Sequence, residues 1–320
     1  MPREGAATVD AISAMIVRAV ERMAPYVVSV TAVDASRSRM SVGTGLALDR
    51  RHVLTHAPLV QPGDRLSVAF RDGQRFEAEL VTADPLYFLA VLRLQGEVDL
   101  PTLPVAPRED LRAGVLVAAL GDPFHPECSV TLGVVTAPDR TIYRPERFPV
   151  DGLILTDAVV HAANVGGPLI TLEGQLIGVC GLPGIAGLNL AIQAGVVMRL
   201  VQQMLDYGRA SHPWLGFSGQ PEVVSPTMAS LLQLPAQRGV AVSEVAKDGP
   251  GQRAGVRPFD VVVRVDDRPA ESLGTIRQVL ALHRPGETGR LLVLRGAELL
   301  ELEIPVEEMP RLAETPWSQP

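Results

Sequence analysis

TDAVVHAANVGGPL, residues 156–169, is the stretch on which the fold reading turns. It leaves a β-type run at 153–156, crosses small and polar residues, and enters another run at 169–171 through Gly166-Gly167-Pro168. Glycine reaches backbone conformations closed to other residues, so the pair marks a sharp loop between two strands. Val165, just before the glycines, has no atom able to attack a carbonyl. Outward from this loop lie short runs at 114–120, 129–136, 175–179 and 188–192. An earlier set occupies 26–33, 41–48, 52–55, 65–70, 75–82 and 88–94. Turn signals such as Gln61-Pro62-Gly63-Asp64 and Asp72-Gly73 separate them. Two groups of about six short strands predict a mostly β chain with two packed six-stranded Greek-key barrels.

The flanks carry helical periodicity. Ile12, Met15, Ile16, Ala19, Val20 and Met23 share one face, which predicts an amphipathic helix within residues 1–25, with Asp10 as its N-cap. At 194–207, Val197, Leu200, Val201, Met204 and Leu205 share a face and Gly208 supplies a stop. The barrels and this exit helix make one expected domain, 26–208. Trp214-Leu215-Gly216-Phe217 then opens a second, 209–305, with strands at 239–245, 260–265 and 291–294 and a helix at 273–283. Residues 306–320 are acidic and proline-punctuated and are expected to be a flexible tail.

Composition excludes several functions. With 47% hydrophobic residues the chain can bury large cores, which argues against disorder. The net charge is −7, Lys247 is the sole lysine, and no basic run occurs, so a nucleic-acid or acidic-membrane footprint is not expected. No apolar run approaches the ~18 residues of a membrane span. Asp10 and Arg18 interrupt the apolar start, so no secretory signal is read there. Cys128 and Cys180 read as two reduced thiols, and the expected location is cytoplasmic. No cofactor and no metal are expected. His125-Pro126-Glu127-Cys128 offers ligand types, but no second pair follows at a matching spacing.

The segments together resemble the HtrA/Deg family, a trypsin-like domain followed by a PDZ domain, from about Val27 to about Val306. Val42-Gly43-Thr44-Gly45, Gly121-Asp122-Pro123-Phe124 and Leu190-Ala191-Ile192 resemble family motifs in the barrels. Gly249-Pro250, Ala254-Gly255-Val256 and Asp260-Val261-Val262 resemble motifs of the PDZ domain. The resemblance implies a bacterial protein of protein quality control, with a histidine, an aspartate and a serine as its catalytic triad.

Aligned on those motifs, the histidine position is Pro58, the aspartate position is Phe88 and the serine position is Val165. The oxyanion glycine is Ala163, and Asp84 is left as a turn former. None of the three triad replacements can supply a base or a nucleophile. The expectation drawn from this is a non-catalytic pseudoprotease, not an enzyme, with Phe88 and Val165 filling a closed, dry pocket. The alternative is an active serine-type endopeptidase-like hydrolase with a relocated site. His56, His161, Asp157 and Cys180 are its candidate residues.

In the second domain, the resemblance makes Trp214, Leu215, Gly216 and Phe217 the loop that holds a peptide's terminal carboxylate in a cradle of backbone N–H groups. Ile276, Val279 and Leu280 are the expected lining of the groove. A competing reading has Trp214 and Phe217 simply packing a seam. The expected partners are peptides or protein C-termini, with assembly as a homo-trimer or as a hetero-oligomer with an active relative. A purely structural subunit, needing no groove, is a third reading.

Overall fold

The computed structural model describes residues 4–34, 39–107, 111–121, 128–143, 149–185, 188–232, 234 and 237–309. The chain forms two compact units, Met1–Ala210 and Ser211–Pro320.

The first unit holds two closed barrels. One comprises β1 (Val27–Asp34), β2 (Arg39–Ala47), β3 (His52–His56), β4 (Arg65–Ala69), β5 (Arg75–Asp84) and β6 (Leu89–Leu94), in the order β1-β2-β3-β6-β5-β4. The other comprises β7 (Leu116–Gly121), β8 (Ser129–Tyr143), β9 (Pro149–Thr156), β10 (Pro168–Thr171), β11 (Leu176–Ile185) and β12 (Leu188–Gln193), in the order β10-β11-β12-β9-β8-β7. Alternation along each strand sorts its side chains. On β1, Val28, Val30 and Ala32 fill the first barrel, while Val27 faces the core shared by both barrels. Val117, Ala119, Ile154, Leu169 and Cys180 fill the second.

Two strands run further than their patterns suggest. β8 continues through Ala137-Pro138-Asp139-Arg140, and β11 through Gly181-Leu182-Pro183-Gly184. Their ladders shift register at these points, so bulges absorb residues that would otherwise end a strand.

Helix α1 (Glu4–Met23) begins well before Asp10, which lies inside it and is not its cap. Its apolar stripe is only partly used: Ala19 and Met23 are buried, whereas Ile12 and Met15 are exposed. Helix α2 (Ala194–Tyr207) buries Val197, Leu200, Val201 and Met204, and the N–H of Gly208 closes it on Met204 O.

The second unit is a five-strand path, β14 (Phe217–Val223), β15 (Arg238–Val245), β16 (Val261–Val265), β18 (Thr288–Arg295) and β19 (Glu298–Pro305), in the order β14-β15-β16-β18-β19. Two short pairings complete it: β17 (Arg268–Pro269) with β16, and β13 (Pro213–Trp214) with β20 (Glu307–Glu308). Helices α3 (Pro226–Leu231), α4 (Pro250–Arg253) and α5 (Leu273–Leu280) accompany the sheet. Its core gathers Leu215, Phe217, Val240, Ile276, Leu280 and Leu291.

Candidate functional site

In the first unit, the 156–169 loop is fastened at both ends. Thr156 Oγ1 donates to Val134 O at 2.8 Å, and Asp157 Oδ1 accepts Val134 N–H at 2.6 Å. Asp157 therefore ties the loop to β8. A short 3₁₀ turn, Ala162–Asn164, follows, in which Asn164 N–H reaches His161 O at 2.8 Å. Gly166 has φ 88 and a Cβ there would collide with Thr44 O, so the turn needs glycine. Its N–H bonds Cys180 O at 2.6 Å, and Cys180 N–H returns to Gly167 O at 2.9 Å. The loop is thus clamped between β2 and β11. The side chain of Ala163 lies outside the described residues.

The end of β3 and the residue before β6 come together. Ala57 N–H donates to Phe88 O at 2.8 Å, and Pro58 sits in a 3₁₀ turn, Ala57–Leu59. Phe88 takes φ 55, a left-handed conformation costly for an aromatic residue. The ring beside it belongs to His56. The imidazole and the phenyl centroids are 5.8 Å apart with planes at 61°. Burial pushes the His56 pKa down to about 4, against the pull of its hydrogen bond to the Gly181 backbone. At neutral pH the ring is uncharged, with one N–H fixed on the Gly181 carbonyl. Counting along the chain leaves His56 two positions from the expected histidine, but its ring lies against Phe88, where an aspartate is expected by resemblance.

Pro58, Phe88 and Val165 are all half-buried. Phe88 packs against the shared core without being sealed in it. This corrects the expectation of a closed pocket filled by Phe88 and Val165: both keep an accessible side. Asp84 is buried and accepts Leu86 N–H at 2.9 Å, a turn role. Cys180 is fully buried inside the second barrel, and desolvation pushes its thiol up to about 12. His161 is exposed. Among the described residues no group of three or more His, Cys, Asp or Glu gathers for a metal, and His125 and Glu127 lie outside them.

In the second unit, Gly216 has φ 66, and a Cβ on it would meet Pro250 Cδ at 2.7 Å. The carbonyls of this turn are tied inward: Leu215 O accepts Gly251 N–H at 2.9 Å and Gly216 O accepts Ala246 N–H at 2.8 Å. The chain then enters β14, which stands at the end of the sheet, with no described strand on its outer side. Residues 220–223 of β14 are exposed. Helix α5 packs beside β14, capped by Ser272 Oγ, which accepts Thr275 N–H at 3.0 Å.

Helix α5 turns its apolar residues into the core of the unit. Ile276, Val279 and Leu280 are 0%, 5% and 1% exposed and sit in the core with Leu215 and Phe217. The partly open positions of α5 are Thr275 and Gln278, with Ser272 before them. Trp214 is half-buried in β13, opposite Glu307.

Residues 43–179 match the trypsin-like peptidase domain family, and residues 214–306 match the PDZ domain family. A probable periplasmic serine endoprotease DegP-like of Halomonas elongata is 34% identical over 281 residues, 86% of this chain and 58% of that protein. The serine endoprotease DegS of Escherichia coli K12 is 30% identical over 308 residues, 91% of this chain and 85% of that protein. Among solved structures, the HtrA-type protease AlgW with tripeptide is similar at a TM-score of 0.67 and 29% identity, covering 92% of this chain and 98% of that one. The chain spans little more than half the length of several curated relatives that it matches.

Two expectations are corrected by these likenesses. The reading of the chain as no enzyme rested on three positions, whereas the relatives similar across most of its length are named serine endoproteases. The cytoplasmic location rested on the start of the sequence and its cysteines, whereas several of the relatives are described as periplasmic.

Proposed function

This chain belongs to the HtrA family of trypsin-like serine proteases that carry a PDZ domain, and on that footing we propose that it captures the C-terminal ends of polypeptides along the outer edge of β14. The observation that carries this reading is the Leu215–Gly216 turn. Its carbonyls are held inward, which leaves the N–H groups at the head of β14 for a carboxylate. An extended peptide would then add to β14 as a further strand, beside α5. The periplasm is the proposed location, by likeness to the relatives described as periplasmic. The test is binding of one peptide sequence with a free and with an amidated C-terminus. Tighter binding of the free carboxylate is expected, and equal binding of both would sink the reading.

A second reading is peptide hydrolysis in the first unit, as the names of the relatives suggest. Pro58, Phe88 and Val165 cannot accept a proton or attack a carbonyl, so such chemistry needs other side chains. His56 is the residue that favours it: neutral, held by the Gly181 backbone, and with its own backbone against Gly166 of the loop that carries Val165. In this role it would take a proton from a water attacking the peptide carbonyl and return it to the amine nitrogen as the C–N bond breaks, a task for which its pKa of about 4 makes it a weak base. Casein turnover by the wild type, His56→Ala and Pro58→His/Phe88→Asp/Val165→Ser tests it. Wild-type turnover abolished by His56→Ala supports this reading; turnover untouched by that substitution rules it out.

A further inference from the structure

We infer that Pro221 limits the β14 edge to the last three residues of a bound polypeptide; this rests on the reading of that edge as the peptide site. The parity of the ladder decides which residues of β14 are open. In an antiparallel pair, residues alternate between those that exchange hydrogen bonds with the neighbour and those whose N–H and C=O point to the other side. Val224 N–H donates to Gln237 O at 3.1 Å, which extends the register Val223↔Arg238, Glu222↔Gly239, Pro221↔Val240 and Gln220↔Ala241. Stepping back by twos, Glu222 and Gln220 face β15, so Pro221, Val223 and Gly219 face outward.

Two further bonds fix the same parity. Val242, opposite Gly219, spends its N–H on Asp260 O at 2.8 Å and its C=O on Phe259 N–H at 2.9 Å, so it cannot bind Gly219. Beyond the register shift between Ser218 and Gly219, Ala246 N–H bonds Gly216 O at 2.8 Å, which turns Phe217 outward. The open edge therefore presents Phe217 and Gly219 with both donor and acceptor. Pro221 comes next, with an acceptor only, because proline has no N–H.

An antiparallel peptide would set its last residue against Phe217, its third from last against Gly219 and its fifth from last against Pro221. The first two positions are fully paired. At the third, the peptide carbonyl meets a proline ring in place of a donor. A proline on an edge strand is also a known guard against open-ended strand pairing. The chemical class selected is thus a short free C-terminus with little recognition upstream of it.

The test takes the tightest binder from a free-carboxylate peptide library and trims it from seven residues to five and to three. For the wild type, affinity should change by no more than about twofold across the set. For Pro221→Ala the tripeptide should bind as to the wild type, and the five-residue peptide should bind about fivefold tighter than the tripeptide, the worth of one restored hydrogen bond. A fivefold gain with length in the wild type, or none in Pro221→Ala, overturns the inference. So does a changed tripeptide affinity in Pro221→Ala, since Pro221 would then act through the shape of β14. Absence of binding by every peptide to both proteins would instead remove the underlying reading of the edge.

Discussion

The imidazole of His56 lies edge-on to the ring of Phe88, with centroids 5.8 Å apart. One residue ends β3, and the other precedes β6 in a left-handed conformation at φ 55. Burial beside this ring leaves the histidine in apolar surroundings, which favours the uncharged imidazole.

A pH dependence of stability follows. Folding lowers the His56 pKa from 6.5 to about 4, so between these values the unfolded chain binds more protons than the folded one. The stabilisation is complete above pH 6.5, falls as the pH drops, and is lost below about 4. Its size is roughly 3 kcal/mol for a shift of this order. Urea unfolding followed from pH 7 to pH 4 should show a steeper loss in the wild type than in His56→Gln. Parallel curves would count against a buried neutral histidine.

Cys180 should resist thiol reagents in the native protein. It is fully buried and its thiol is pushed up to about 12. Cys128 is only half-buried. Ellman's reagent should titrate no more than one thiol at pH 7.5 before urea is added, and both afterwards. Rapid native labelling of Cys180 would contradict the packing described for the second barrel.

Gly216→Val should damage both fold and binding. The substitution forces a branched side chain into φ 66 and drives its Cβ to 2.7 Å from Pro250 Cδ. A loss of about 2 kcal/mol or more in stability is expected. Carboxylate-terminated peptides should bind at least tenfold more weakly, as measured by fluorescence anisotropy.

Phe259→Gly should stabilise the second unit. Phe259 is 91% exposed and has φ 71, so it carries left-handed strain while burying little. Relief of that strain, less the extra chain entropy of glycine when unfolded, leaves a gain of about 0.5–1 kcal/mol. The urea midpoint of this unit should rise; a fall would mean that the aromatic ring contributes packing.

Arg295→Ala should be costly in the same turn. Asp260 is 1% exposed, and Arg295 grips both its oxygens at 2.7 and 2.8 Å. Removing the guanidinium strands a buried carboxylate, at roughly 2–4 kcal/mol. Asp260→Ala/Arg295→Ala should be less destabilised than the sum of the two single variants, measured as a double-mutant cycle.

Much of the fold was readable along the chain, because period-two alternation and turn residues act within a few positions. The strand expected at 65–70 is Arg65–Ala69, and that expected at 188–192 is Leu188–Gln193. The exceptions are β8 and β11, where ladders with bulges carry strands through Pro138 and Pro183. Local propensity cannot reveal a pairing that neighbours supply. The phase of α5 was likewise open: Ile276, Val279 and Leu280 are apolar wherever they point, and only the sheet beneath them makes them core.

In the 156–169 loop both sources meet. Its glycines and the identity of Val165 are properties of the chain, set by residue chemistry alone. That Gly166 is clamped to Cys180, that Asp157 is spent on β8, and that His56 stands against Phe88 are results of bringing β2, β3, β6 and β11 together. The same holds for β14, where proline is visible in the sequence, but the side to which its missing N–H would point is a matter of strand register. Covalent identity is carried residue by residue, whereas direction in space belongs to pairings between segments far apart in the chain.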